Sequence, residues 1–321
     1  MDLLEVKGLK TYFKTQKGMV KAVDDVSFSL SPGKVLGLVG ESGCGKTTTA
    51  LSIANLLPPE GEVVGGEIFL EDVDLLKLSP NKMRKRRWKD ISMVFQGAMN
   101  ALNPVIRVGD QIAEALVLHD KMTYAQAMER TRELFRLVEI DEDRINHYPH
   151  EFSGGMKQRA MIAMALACNP KIIIGDEPTT ALDVMVQAQI LNLMEKLKKE
   201  INMGMIIITH DLSILGEICD DVAIMYAGKI VEKGTVEAVF SRHNHPYTRK
   251  LIEAFPDIYG ERKLARSIPG NPPSLLSPPE GCRFHPRCEF ATDICKTTEP
   301  ALMSLGGDHL AACHCQGVWN E

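Results

Sequence analysis

The chain has 321 residues, of which 45% are hydrophobic and 25% charged, with a net charge of -5. That is enough to bury a sizeable core as one large domain or two smaller ones, and the acidic balance gives no global reason to expect nucleic acid. No apolar run approaches the length that spans a bilayer. The start, Met1-Asp2-Leu3-Leu4-Glu5, lacks the basic flank and long apolar stretch of a secretory signal, so the expectation is a cytoplasmic chain that could dock on a membrane protein. In chain order, strands are predicted at Leu3 to Val6, Ser27 to Leu30 and Val35 to Val39, then a helix over Thr47 to Leu57. Gly66 to Leu70 and Ile91 to Phe95 read as further strands. From Val108 to Leu137 the apolar spacing turns helical, with Ile112, Ala115, Leu116, Met128, Leu134 and Phe135 on apolar faces. Met156 to Ala167 continues as helix, Ile172 to Gly175 as strand, Val184 to Lys199 as helix and Met205 to Thr209 as strand. Alternating strands and helices indicate an α/β fold with a mostly parallel sheet, and the helical stretch at about 97–167 reads as an inserted subdomain. After about Phe255, five prolines between Pro269 and Pro279 mark an irregular segment that cannot be a long helix. The domain expectation is 1–255 for the main domain and 256–321 for a small Cys-rich module.

Gly40-Glu41-Ser42-Gly43-Cys44-Gly45-Lys46-Thr47 fits G-x-x-x-x-G-K-[ST] and follows an apolar strand. Glycines let successive N–H groups converge on phosphate oxygens, Lys46 can reach the outer phosphates, and Thr47 can offer its hydroxyl to Mg²⁺. The helix that follows, with Thr48 in its first turn, turns its positive end toward the same phosphates. Ile172-Ile173-Ile174-Gly175-Asp176-Glu177 ends a strand in two carboxylates. Asp176 would support Mg²⁺ and Glu177 would orient and deprotonate a water. Phe152-Ser153-Gly154-Gly155-Met156-Lys157-Gln158 describes a Ser-capped helix start with open N–H groups, a second phosphate site distinct from the first. The plainer reading of each segment is a glycine turn, a pair of capping acids and an ordinary helix cap.

Taken in order, the phosphate loop, Gln96, Ser-Gly-Gly-x-x-Gln, the Asp-Glu strand end, Ala181-Leu182-Asp183 and His210 resemble the ATPase subunit of an ABC transporter. The resemblance runs from about residue 3 to 250. It implies ATP and Mg²⁺ as cofactors and Gln96 in the loop that touches Mg²⁺ and the transmembrane partner. It also implies Asp183 at a subunit interface and His210 holding the γ-phosphate and the attacking water. The resemblance further implies an adenine-stacking aromatic upstream of the loop, for which Phe13 fits the position slightly better than Tyr12 and either ring could serve. The family completes each site with the Ser-Gly-Gly segment of a second subunit, which leaves homodimer and heterodimer both open.

The tail narrows the resemblance. Cys282-x5-Cys288-x6-Cys295-x17-Cys313, with His245-Pro246-Tyr247-Thr248 and Ile268-Pro269-Gly270-Asn271-Pro272-Pro273 upstream, is similar to the C-terminal extension of dipeptide and oligopeptide importer ATPases, a group that includes some nickel importers. By that resemblance the four cysteines hold a [4Fe–4S] cluster. By chemistry alone Zn²⁺ or free thiols stay open, and Cys315 competes with Cys313 as fourth ligand. The implied partners are a second ATPase subunit, two permeases and an extracytoplasmic peptide-binding protein, with the chain peripheral on the cytoplasmic face of the membrane. The basic run Arg84 to Lys89 reads as a solvated face, and Cys44 as a small filler of the loop.

Overall fold

A computed structural model describes residues 2–97, 101–180, 182–254 and 268–316. Ala181 and the expected boundary after residue 255 lie outside the described residues. The first two strands are far longer than predicted: β1 is Leu4–Thr15 and β2 is Gly18–Leu30. In β1, Leu4, Val6, Leu9 and Thr11 are buried while Lys7 and Lys14 face solvent, so the strand is amphipathic with lysines on its wet side. β3 (Val35–Val39) is buried at every position. It leads into α1 (Lys46–Ala54), which stops at Asn55 in a left-handed conformation, short of the predicted Leu57. β4 (Gly61–Leu70) runs antiparallel to β1, with Leu4 opposite Leu70 and Phe13 opposite Gly61. With β5 (Val73–Asp74) these strands form a sheet in the order β2-β1-β4-β5.

Next come α2 (Pro80–Arg86) and β6 (Ile91–Val94). The long helical stretch divides in two, α3 (Val108–Asp120) and α4 (Tyr124–Leu137), because Lys121 turns left-handed and Thr123 opens the next helix with a capping box to Gln126. Then follow α5 (Gly154–Leu166), β7 (Ile172–Asp176), α6 (Val184–Ile201) and β8 (Gly204–Thr209). β6, β7 and β8 are parallel, Ile91 opposite Ile172 and Ile172 opposite Gly204. β7 and β8 are buried throughout, as parallel strands covered on both faces must be. Leu30–Val35 and Leu75–Ile208 make up one compact unit.

The other unit takes in the chain up to Ser29, Leu36–Asp74, and everything described from Thr209 onward. It adds α7 (Leu212–Ile218), β9 (Asp221–Tyr226), β10 (Lys229–Thr235), α8 (Val236–Ser241) and α9 (Pro246–Glu253). The tail contributes α10 (Asp293–Thr297), β11 (Met303–Gly306) and β12 (His309–Ala311). β9 lies parallel to β3 and antiparallel to β10, and β12 pairs antiparallel with β10. The tail is largely irregular, as its prolines require, but it is built into this unit. Phe284 is 1% exposed in a core shared with Val39, Tyr226, Tyr247 and Leu251. Its ring lies 5.1 Å from Tyr226 at 88° and 5.4 Å from Tyr247, edge-to-face geometry that adds to simple burial. Glu232, fully buried on β10, accepts hydrogen bonds from the backbone N–H groups of Asn244 (2.7 Å) and His245 (3.0 Å) and pairs with His309 Nε2 (2.8 Å). It thereby ties the start of α9 and the tail hairpin to one strand.

Candidate functional site

The loop between β3 and α1 has the backbone a phosphate cradle needs. Gly40, Gly43 and Gly45 have φ of 153°, 78° and 108°, a region that L side chains rarely enter. A Cβ on Gly40 would lie 2.1 Å from the Met225 carbonyl oxygen, and one on Gly45 would lie 2.2 Å from that of Ala22. Gly43 faces open space. Packing therefore fixes two of the glycines from behind, and the third leaves the front of the cradle clear. Gly45 is also the N-cap of α1. Lys46 is 6% exposed, and its Nζ donates to the carbonyls of Gly40 (2.7 Å) and Glu41 (3.0 Å). Those are neutral acceptors that an anionic phosphate can outcompete. Ser42 and Thr47 are exposed and Thr48 is half-buried. Cys44 is buried, and burial pushes its thiol up, so it stays a protonated filler. The donor set suits a polyphosphate, and the exposed Thr47 hydroxyl suits a hard cation beside it.

Thr11 Oγ1 meets Ser52 Oγ of α1 at 2.8 Å. Phe13 lies two residues on, on the same face of β1, with its ring over Gly61. Tyr12 points to the opposite face. Its hydroxyl donates to Asp24 (2.7 Å), and burial and that carboxylate push it up to about 12. Tyr12 is thus tied through its hydroxyl to Asp24, while Phe13 lies on the other face of β1 beside Gly61.

In the other unit, Asp176 ends β7 at 2% exposure. Glu177 follows with φ of 50°, a left-handed residue held in place although it carries a side chain, which is how functional positions are often strained. Its N–H donates to the Ile208 carbonyl (2.9 Å). Its Oε2 accepts from Gln96 Nε2 (2.7 Å) and Thr180 Oγ1 (2.9 Å). Gln96 and Glu177, 81 positions apart, are thereby brought together. Ser153 caps α5 by accepting from Met156 N–H (3.3 Å). Gly154 and Gly155 form its first turn, and a Cβ on Gly155 would sit 2.6 Å from Val186 of α6, so glycine lets the two helices close up. Asp183 caps α6 through Val186 N–H (2.9 Å). Gln158 is 3% exposed, and its Nε2 has no hydrogen-bond partner among the described residues. In the first unit, His210 follows β8 as an exposed residue.

Cys282, Cys288, Cys295, Cys313 and Cys315 all line one small cavity with His285 and His314. It holds about 10 Å³, room for about one water. Among the described residues no group of three or more His, Cys, Asp or Glu side chains is set to hold a metal ion. The expected [4Fe–4S] or zinc site is therefore not preformed. The five cysteines share the lining of that cavity, and burial pushes Cys282 up to about 11 and Cys313 up to about 12.

Three residues of this unit, Arg283, Arg287 and Tyr247, escaped the sequence reading as site residues. Arg287 grips Glu41 of the loop, Tyr247 accepts from the Glu41 N–H, and Arg283 pairs with Asp24. These partners lie more than 200 positions apart, so no local spacing announces them.

The ABC transporter family matches residues 23–180, and the family described as "Oligopeptide/dipeptide transporter, C-terminal region" matches residues 231–295. A probable peptide ABC transporter ATP-binding protein of Sinorhizobium fredii is 48% identical over 97% of this chain and 94% of its own length. The oligopeptide transport ATP-binding proteins OppD of Haemophilus influenzae and Escherichia coli are each 47% identical over 97% of the chain, covering 96% and 92% of theirs. Among solved structures, a dimeric post-hydrolysis state of the ATP-binding cassette MJ0796 bound to ADP and phosphate aligns with a TM-score of 0.65. It is 27% identical and covers 73% of this chain and 98% of that one. The chain belongs to the ATP-binding subunits of ABC transporters, in the group that carries the oligopeptide/dipeptide C-terminal region.

Proposed function

We propose that this chain hydrolyses ATP to power import of oligopeptides or dipeptides through a separate membrane permease. The cradle of Gly40 to Thr47, with Lys46 resting on carbonyls that phosphate oxygens would replace, is the observation that carries the ATPase half. The names of the relatives, all oligopeptide or peptide transport ATP-binding proteins, support the peptide half and do not favour nickel. In this reading Gly40, Ser42, Gly43, Cys44, Gly45 and Thr48 form the cradle and Lys46 neutralises the outer phosphates. Phe13 stacks on adenine. Thr47, Gln96 and Asp176 would hold Mg²⁺, which when bound spreads the charge of the transferring group. Glu177 polarises the attacking water, and His210 holds that water against the γ-phosphate.

Ser153, Gly154, Gly155 and Asp183 serve a second subunit's nucleotide, as the dimeric cassette relative suggests. Two permeases, a second ATPase chain and a peptide-binding protein complete the assembly, with this chain on the cytoplasmic face of the membrane. Among the described residues no helix is long and apolar enough to cross it. The cysteine cavity enters on donor chemistry alone: thiols suit a [4Fe–4S] cluster or Zn²⁺, and the described packing would have to open to admit either. Iron, sulfide and zinc analysis of protein purified without oxygen distinguishes cluster, zinc and free thiols. The function itself is tested by reconstituting the full assembly in vesicles. ATP hydrolysis should be stimulated by peptide and abolished by Glu177→Gln, which should still bind ATP. Hydrolysis unaffected by Glu177→Gln, or uptake without ATP, would sink the reading.

A further inference from the structure

Glu41 is held at every polar group it has. Its carboxylate takes a bidentate grip from Arg287, Nη1 to Oε2 at 2.6 Å and Nη2 to Oε1 at 3.0 Å. Its backbone N–H donates to the Tyr247 hydroxyl at 2.8 Å. Its carbonyl accepts from Lys46 Nζ at 3.0 Å. Arg287 is itself fixed: its side chain is 5% exposed, and it donates to the carbonyls of Pro269 (2.7 Å) and Ile268 (3.3 Å) and to the Tyr226 hydroxyl (3.3 Å). Tyr247 is fully buried, and burial holds its hydroxyl protonated. Two rigid groups, one from α9 and one from the cysteine module, thus converge on the second residue of the phosphate loop.

Two consequences follow from charge and geometry. A carboxylate at the rim of a polyphosphate site repels the incoming ligand unless a cation cancels it, and Arg287 is that cation. The N–H at position 41 is committed to Tyr247, so the cradle is presented to the phosphates by the residues after it, with its entrance pinned. Cys288, next to Arg287, lines the thiol cavity, so clamp and cavity share backbone.

We propose that Arg287 and Tyr247 are positioning residues for nucleotide binding: they hold Glu41, and through it the phosphate loop, in a neutralised and receptive form. This rests on the ATP reading above and adds a role for the C-terminal module in it. The test measures ATP affinity and ATP-saturated turnover of the assembled transporter in wild type, Arg287→Ala, Glu41→Gln, the double variant and Tyr247→Phe, with circular-dichroism melting as a fold control. Arg287→Ala should weaken ATP binding about tenfold at low salt, the size of one uncompensated charge near the ligand. Saturated turnover should change less than about twofold. Adding Glu41→Gln should recover most of the affinity, and raised salt should shrink the defect. Tyr247→Phe should weaken binding severalfold, about the value of one neutral hydrogen bond, with no salt dependence. If Arg287→Ala does not fold, Arg287→Lys decides. It keeps the charge without the fork, and should weaken binding about threefold, again relieved by Glu41→Gln. Unchanged affinity in the arginine variants, or a loss that Glu41→Gln does not relieve, overturns the proposal. Absence of ATP binding in the wild type would instead overturn the ATP reading itself.

Discussion

The pair of Asp24 and Arg283 makes a quantitative claim about how the tail is fastened. The side chains are 13% and 7% exposed. Arg283 Nη2 bonds Asp24, Nη1 donates to the Ala227 carbonyl (2.5 Å), and Tyr12 supplies a second donor to Asp24 (2.7 Å). Replacing Arg283 with Met keeps much of the volume but leaves a mostly buried carboxylate with one neutral donor and strips the carbonyl of its partner. Breaking a buried pair from one side costs about 3–5 kcal/mol. With a urea slope of about 1–3 kcal/mol/M, that lowers the unfolding midpoint by about 1–5 M. Asp24→Asn in the same background removes the stranded charge, so the double variant should be more stable than Arg283→Met alone, with a coupling energy of about 2 kcal/mol. Acid adds a second readout. Burial pushes the Asp24 carboxyl up, but the Tyr12 hydroxyl and the charges of Arg283 and Lys229 outweigh it and hold the carboxyl below its ordinary range. A depressed folded pKa means the stabilisation is complete above the unfolded value of about 3.9 and is lost as pH falls through the folded one. In Arg283→Met the arginine's lowering is removed while burial stays, so the carboxyl moves back up and that variant should lose less stability than wild type as the buffer is taken from pH 7 toward about pH 3. Urea titrations followed by circular dichroism at both pH values check all of this. A single-variant loss under about 1 kcal/mol, or strictly additive losses in the cycle, would refute the reasoning.

Gly45→Ala places a Cβ 2.2 Å from the Ala22 carbonyl at a φ of 108°. The strain of about 1–3 kcal/mol should reduce binding of a fluorescent ATP analogue about tenfold or more. Phe284→Ala removes a ring that is 1% exposed and should cost about 3–5 kcal/mol. Limited proteolysis should then cut the tail of this variant before the rest of the chain. Asp183→Ala loses the hydrogen bond to Val186 N–H and should destabilise the start of α6 by about 1 kcal/mol, read as faster amide exchange over Val184 to Gln187 with the remaining helices unaffected.

The candidate site was legible where its chemistry depends on neighbours in sequence. Gly40, Gly43 and Gly45 are glycines because each sits at positive φ, and Ser153 and Asp183 announce helix starts because a cap acts within three residues. The strands β7 and β8 were legible because burial on both faces makes them continuously apolar. β1 and β2 were found only at their ends, since charged residues interrupt the apolar run, Lys7, Lys10 and Lys14 in β1 and Lys21, Asp24 and Asp25 in β2. The split between α3 and α4 was hidden because Lys121 adopts a left-handed turn that its side chain does not advertise. The tail shows the other limit. Its cysteines and prolines invite a reading as a self-contained metal module. The residues that fasten it, Arg283, Phe284 and Arg287, work through Asp24, Tyr226 and Glu41, partners that only the folded chain supplies. A carboxylate on a phosphate loop is an unpromising choice by itself. It becomes a sensible one once an arginine from the far end of the chain is there to cancel its charge, and that makes the tail part of the electrostatics of the nucleotide site as well as its neighbour.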